Sequence, residues 1–208
     1  AHIFWMFRYL ERCENTARII NASHFISLTQ KQNITNQWDS ILNVGGNKSF
    51  FLSKYGEVKK STVINFTLRD KTNPSSVLSL IGNARQNARV VRNNLTKEVF
   101  ETINETYHIL SNIFKRPINE KNLLNTLSII RTKCQLARGT LHGTMLRDDT
   151  YILARMGTFI ERADNTSRIL DIKYYVLLPS VGFVGSNVDN AHWENILRSV
   201  SAYRSYNW

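Results

Sequence analysis

Residues 11–19 read Glu-Arg-Cys-Glu-Asn-Thr-Ala-Arg-Ile, and residues 161–169 read Glu-Arg-Ala-Asp-Asn-Thr-Ser-Arg-Ile. Glu11, Arg12, Asn15, Thr16, Arg18 and Ile19 return as Glu161, Arg162, Asn165, Thr166, Arg168 and Ile169, and Glu14 returns as Asp164. The flanks keep their character, with Tyr9 and Leu10 answered by Phe159 and Ile160. On a helix turning about 100° per residue, Glu11, Glu14, Asn15 and Arg18 share one face, while Leu10, Cys13, Ala17 and Ile20 share the opposite one. The second copy divides in the same way. A merely solvated face gains only a few tenths of a kcal/mol, roughly, from each i,i+4 pair. It has no need of the same residue types in the same order twice, so the motif reads as a polar network between helices. Such a network is either a device for structural specificity or a ligand site.

The helical reading extends outward from the motif. Met6, Leu10, Cys13, Ala17, Ile20, His24 and Ser27 step by four and three, which is the seam of a helix packed lengthwise on others. From about 33 to 60 the pattern weakens, with loops at Gly45-Gly46 and Gly56. Asn73-Pro74 signals a helix start, and the stripe Ile81, Ala84, Ala88, Val91 and Leu95 predicts a helix that runs on towards Phe114. Leu123, Leu127, Ile130, Cys134 and Ala137 form another stripe, ending before Gly139 and Gly143. Met156, Ile160, Ala163, Ser167, Leu170, Tyr174 and Leu177 form a third, closed by Pro179. A last amphipathic piece from Trp193 to Tyr203 continues to Trp208 without a stop signal. These elements predict an all-α fold, an antiparallel bundle of four or more long helices with additional short ones.

Composition agrees. The 208 residues suit one domain with a core, and three prolines and nine glycines are too few for a strand-rich sandwich. Cys13 and Cys134 lie within apolar stripes, as small hydrophobes do. No run of eighteen apolar residues and no leader pattern occurs, so the expectation is a cytoplasmic chain without a membrane span. The net charge of +11 raises the question of anionic partners, but basic residues are mostly interleaved with acids. The exception lies between Asp70 and Glu98, where Lys71, Arg85, Arg89, Arg92 and Lys97 meet no acid. Arg85, Arg89 and Arg92 would line one helix face suited to carboxylates or phosphates.

Further along, Glu98, Glu101, Glu105 and His108 also share a face. Glu105-Thr-Tyr-His108 is a single Glu-x-x-His, whereas dimetal carboxylate bundles need two, so no metal is expected. Gly45-Gly46-Asn47-Lys48 lacks nucleotide-loop spacing, no Gly-x-Ser-x-Gly occurs, and no cofactor is implied. Nucleic-acid binding through the arginine face is disfavoured, since recognition motifs are absent.

The chain resembles the alpha-E family, a bacterial helical domain of unknown function named for its Glu-Arg motif. The resemblance rests on Arg8-Tyr9-Leu10-Glu11-Arg12 with Glu14-Asn15-Thr16-Ala17-Arg18, on Asn73-Pro74-Ser75-Ser76, and on Asn83-Ala84-Arg85-Gln86-Asn87-Ala88-Arg89. Thr144-Met145, Arg147-Asp148, the stretch Arg155 to Arg168, and Asp171-Ile172-Lys173-Tyr174 complete it. Gln86 stands where the family pattern has an acid. The chain is also shorter than a typical member, so residues 1–208 are expected to form one alpha-E-like helical domain without its later helices.

Family members occur beside or fused to circularly permuted ATP-grasp proteins and near transglutaminase-like peptidases. The resemblance therefore implies a role in a peptide or amide-bond forming or modifying system. This chain would be a partner of an ATP-grasp-type ligase or a module presenting a peptide-like substrate. The alternative is an enzyme in which Glu11 or Glu161 is the catalytic base, with arginines holding an anionic substrate. The candidate ligand-binding set is Arg8, Arg12, Glu14, Asn15, Arg18, Arg85, Asn87, Arg89, Arg92, Arg155, Arg162, Asp164, Asn165 and Arg168.

Overall fold

A computed structural model describes residues 1–29, 34–175 and 185–208; all described elements are helical. They are α1 (His2–Thr29), α2 (Ile34–Val44), α3 (Lys48–Tyr55), α4 (Lys60–Arg69), α5 (Val77–Val90), α6 (Lys97–Ile113), α7 (Glu120–Thr144), α8 (Asp149–Tyr175), α9 (Asn187–Ser199) and α10 (Tyr203–Tyr206). The fold is an all-α helical bundle. Leu177 and Pro179, expected to close the helix of the second motif copy, lie outside the described residues. The chain divides into two compact units, one of residues 1–17 and 65–163, the other of residues 18–64 and 164–208. Both α1 and α8 contribute residues to each.

In the first unit the starts of the helices follow local chemistry. Ser76 caps α5 by accepting from the Ser79 N–H, and Thr96 caps α6 by accepting from Val99. Asn119 and Asn122 exchange side-chain and backbone bonds in a capping box at α7, and Asp148 accepts from the Tyr151 N–H at α8. Side-chain pairs then give directions. Thr96 meets Thr144 while Glu105 meets Lys133, so α6 and α7 are antiparallel. His2 meets Asn87 while Cys13 meets the Val77 carbonyl, so α1 and α5 are antiparallel. The pairs Arg8–Glu161 and Glu11–Arg162 keep a nearly constant offset, which makes α1 and α8 parallel neighbours.

Met6, Phe7, Leu10, Cys13 and Ala17 of α1 are buried, as are Leu80, Ile81 and Ala84 of α5 and Leu127, Ile130 and Cys134 of α7. Each large apolar side chain so placed stabilises the fold by roughly 1.5–3 kcal/mol. Gly157 lets α8 approach α1 closely. A Cβ there would overlap the Phe4 carbonyl, standing 3.1 Å from its carbon and 3.3 Å from Phe4 Cα.

Four readings of helix starts and ends change in the structure. Asn73 is not the cap of α5: it is buried, its Oδ1 accepts from Ser75 N, and its Nδ2 donates to the Phe66 carbonyl, which leaves capping to Ser76. The helix after it does not reach Phe114. It ends at Val90, passes through a 3-10 turn over Arg92–Asn94, and restarts where Thr96 and Glu98 supply a cap and a first-turn acid. Helix α7 runs through Gly139 and Gly143 instead of stopping before them. The last helix breaks at Ser201, whose φ of 61° is left-handed. There the Ala202 N–H returns to Leu197 O at 2.7 Å, closing α9 as a Schellman turn.

The second unit contains α2, α3, α9, α10 and parts of α1, α4 and α8. Gly46 (φ 65°) ends α2, with Asn47 N donating to Leu42 O at 3.0 Å, and Trp38 is buried under the Lys60 ammonium.

The glycines of α7 and α8 predict opposite responses to alanine. Nothing lies within 4 Å of a Cβ built at Gly139. Gly139→Ala should raise unfolding free energy by about 1 kcal/mol through helix propensity. Gly157→Ala should lower it by roughly 1–3 kcal/mol through overpacking. Urea denaturation of the two variants checks both signs.

Candidate functional site

The two Glu-Arg copies meet. Glu161 accepts from Arg8 Nε at 2.7 Å, from Arg12 Nε at 2.5 Å and from Arg12 Nη2 at 2.9 Å. In return, Arg162 Nε and Nη2 reach Glu11 at 2.8 and 3.3 Å. Each copy's glutamate thus takes the other copy's arginine in a two-point grip. The position in α8 that matches Arg8 holds Thr158, which is buried and bonds the Ala154 carbonyl. The second cation on Glu11 comes instead from Arg138 of α7, at 2.8 Å. Arg138 also reaches Glu14 at 2.5 Å, and Gln135 Nε2 donates to Glu14 Oε1 at 3.2 Å.

Helix geometry explains the convergence. Arg8 and Arg12 are one turn apart on α1 and close like a fork on Glu161, while Glu11 and Glu14 turn towards α7. The side chains of Glu11, Glu14 and Glu161 are 4%, 1% and 2% exposed, whereas Arg12 and Arg162 are 33% and 48% exposed. The carboxylates are therefore inside and the guanidiniums bridge outward to solvent, as their long stems allow. Burial opposes the charge of Arg138, but its hydrogen bond to Glu14 and the charges of Glu14 and Glu11 outweigh that and hold its pKa above the ordinary arginine value. The cluster sets Glu11, Glu14 and Glu161 against Arg8, Arg12, Arg138 and Arg162, leaving one positive charge in excess. Asn15 is also buried, and among the described residues its Nδ2 has no hydrogen-bond acceptor.

Several predicted site residues stand elsewhere. In the first unit, Arg85 donates to Asn104 at 2.7 Å with its guanidinium 4.6 Å from the Tyr107 ring centre, and Asn87 meets His2. Arg89 is exposed, and Arg92 sits in the 3-10 turn over Phe100, so the three arginines do not share a helix. Arg155 lies beside His142 and Tyr151. In the second unit, Arg168 pairs with Asp164 at 3.0 Å, Arg18 donates to the Ser201 hydroxyl, and Asn165 is buried. Glu105 pairs with Lys133, and among the described residues no three His, Cys, Asp or Glu side chains form a metal-holding group.

Sequence reasoning missed Arg138 and Gln135. Their signal was faint: they flank Cys134 and Ala137, two small buried residues that bring α7 close to its neighbours. The thiols beside this cluster, Cys13 and Cys134, are buried. Burial pushes Cys13 and Cys134 well above the ordinary thiol range.

The fold and site define a class: an all-helical protein in which two Glu-Arg dipeptides cross-pair between parallel helices. The chain belongs to the Alpha-E family, matched over residues 1–208 and described as a predicted alpha-helical domain with a conserved ER motif. In this chain the ER dipeptides are Glu11-Arg12 and Glu161-Arg162. No curated protein and no solved structure matches it. Among the described residues, no helix is long and apolar enough to cross a membrane.

Removing one partner of a buried pair leaves the others uncompensated. Glu161→Gln and Glu11→Gln should each lower unfolding free energy by about 3 kcal/mol in urea titrations. Glu105 is 58% exposed in its pair with Lys133. Glu105→Gln should cost less than about 0.5 kcal/mol.

Proposed function

We propose that this chain is a non-catalytic binding module, a partner of an ATP-grasp-type ligase in a peptide or amide-bond forming or modifying system. The observation that carries the reading is the outer face of α8. Ile152, Leu153, Met156, Phe159 and Ile160 are all exposed, from 38% to 50%, on one continuous helical stripe. The stripe lies opposite Glu161, which is buried against α1. An apolar stripe turned to solvent is unusual in a helix of this length and marks an interaction surface.

Charge indicates what covers it. Arg155 and Arg162 edge the stripe, with guanidiniums 4.6 and 5.7 Å from the Phe159 ring centre. The chain carries +11 overall, which opposes pairing this face with a second copy. The occupant that fits is an amphipathic helix of the ligase with acids flanking its apolar side. The ligase assignment itself comes from the company that family members keep. A catalytic role for Glu11 or Glu161 has weaker support, since a general base needs a free lone pair facing substrate and both carboxylates are occupied by arginines.

Titration of the purified ATP-grasp protein from the same host into the chain tests the reading. Phe159→Asp should weaken binding by about tenfold or more while leaving thermal unfolding in place. Equal affinity of the variant, or no binding and no change in ATP turnover, would contradict it.

A further inference from the structure

We propose that the corner between α7 and α8 is an oxyanion-binding site built from His142, Arg147, Tyr151 and Arg155. It shares no side chain with the Glu-Arg pairs, and Arg155 is the one residue it has in common with the edge of the docking face. Arg155 Nη1 stands 3.3 Å from His142 Nε2 and 3.5 Å from Tyr151 Oη. A guanidinium only donates, so Nε2 is the bare acceptor and the imidazole proton sits on Nδ1. Nδ1 lies 2.7 Å from Tyr151 Oη and donates to it. The phenol oxygen therefore accepts from His142 and Arg155, and its own O–H remains as a donor. Arg147 closes the corner, donating to the His142 carbonyl at 3.1 Å with its guanidinium 4.2 Å from the Tyr151 ring centre.

Among the described residues, neither Arg147 nor Arg155 has a carboxylate within 4 Å, in contrast to the paired Arg8, Arg12, Arg138 and Arg162. The nearby acids are Asp148, whose carboxylate caps the Tyr151 N–H, and Asp149 in the first turn of α8. The polar hydrogens left over at this corner are thus all donors: the Tyr151 hydroxyl and the remaining N–H groups of two arginines. Phosphate and carboxylate oxygens are the acceptors that fit such a fork. Burial first, then Arg155, Arg147 and Arg138, keep the His142 pKa below the ordinary imidazole value, which agrees with its place as an acceptor for arginine.

The experiment titrates inorganic phosphate and, separately, acetate into the full chain, followed by calorimetry and by the imidazole signals of His142. Saturable binding of either anion is expected, and it should raise the His142 pKa by placing negative charge beside it. Arg147→Gln and Arg155→Gln should each weaken binding about tenfold, and Tyr151→Phe should weaken it by a smaller factor. Lys121→Gln, an exposed cation in the first turn of α7, should leave affinity unchanged. Preference for phosphate assigns the site to phosphoryl groups, and preference for acetate assigns it to carboxylates. Arg147 is exposed, so its variant keeps the test valid even if Arg155→Gln unfolds. Saturation by neither anion would overturn the proposal, as would equal loss in Lys121→Gln, which would mean diffuse attraction to a basic protein.

Discussion

Three carboxylates are held out of water where α1, α7 and α8 meet, and an ionised glutamate tolerates this only with cations in fixed positions. Much of the first unit answers to that demand. Helices α1 and α8 run parallel, so they lack the dipole compensation that antiparallel neighbours enjoy. The exchange of Glu11 with Arg162 and of Glu161 with Arg12 supplies attraction across that seam. It also sets register, since sliding α8 by one turn would leave Glu161 beyond the fork of Arg8 and Arg12. Gly157 makes the same seam narrow enough for the pairs to close.

This demand inverts α8. Its polar side faces the protein and its apolar side faces water, opposite to the usual amphipathic helix. The consequence is functional as well as structural. The motif's glutamates are enclosed and its arginines bridge outward to solvent, while Met156, Phe159, Ile160 and their neighbours form an exposed apolar face. We propose that the Glu-Arg motif maintains the scaffold and that recognition belongs to the opposite face and to the Arg147–Arg155 corner.

The sequence made the helices and the main seams legible. Leu10, Cys13 and Ala17 are buried as their spacing predicts, and so are Leu127, Ile130 and Cys134. The repeated order of charges suggested a polar network between helices, but whether the two copies meet, and through Glu11–Arg162 and Arg12–Glu161, was not readable from it. Nor was it readable which side of α8 would be buried. Periodicity reports that Met156, Ile160 and Leu170 share a face; it does not say whether protein or solvent lies against it, and all three are exposed. Arg138 was missed because a single arginine on α7 forms no pattern until tertiary packing brings it to Glu11 and Glu14. The break between α5 and α6 was available in Asn93-Asn94-Leu95-Thr96 followed by Glu98, but the apolar stripe continued across it and concealed the stop.

The central claim is that the Glu-Arg pairs act as a coupled structural lock between α1 and α8. A double-mutant cycle on Arg12→Ala and Glu161→Ala, measured by urea unfolding of the four proteins, tests it most directly. The account predicts a coupling free energy of about 1.5–3 kcal/mol, with the double variant far less destabilised than the sum of the single ones. Additivity within roughly 0.5 kcal/mol would contradict it, since the two residues would then contribute independently and the motif would need another explanation.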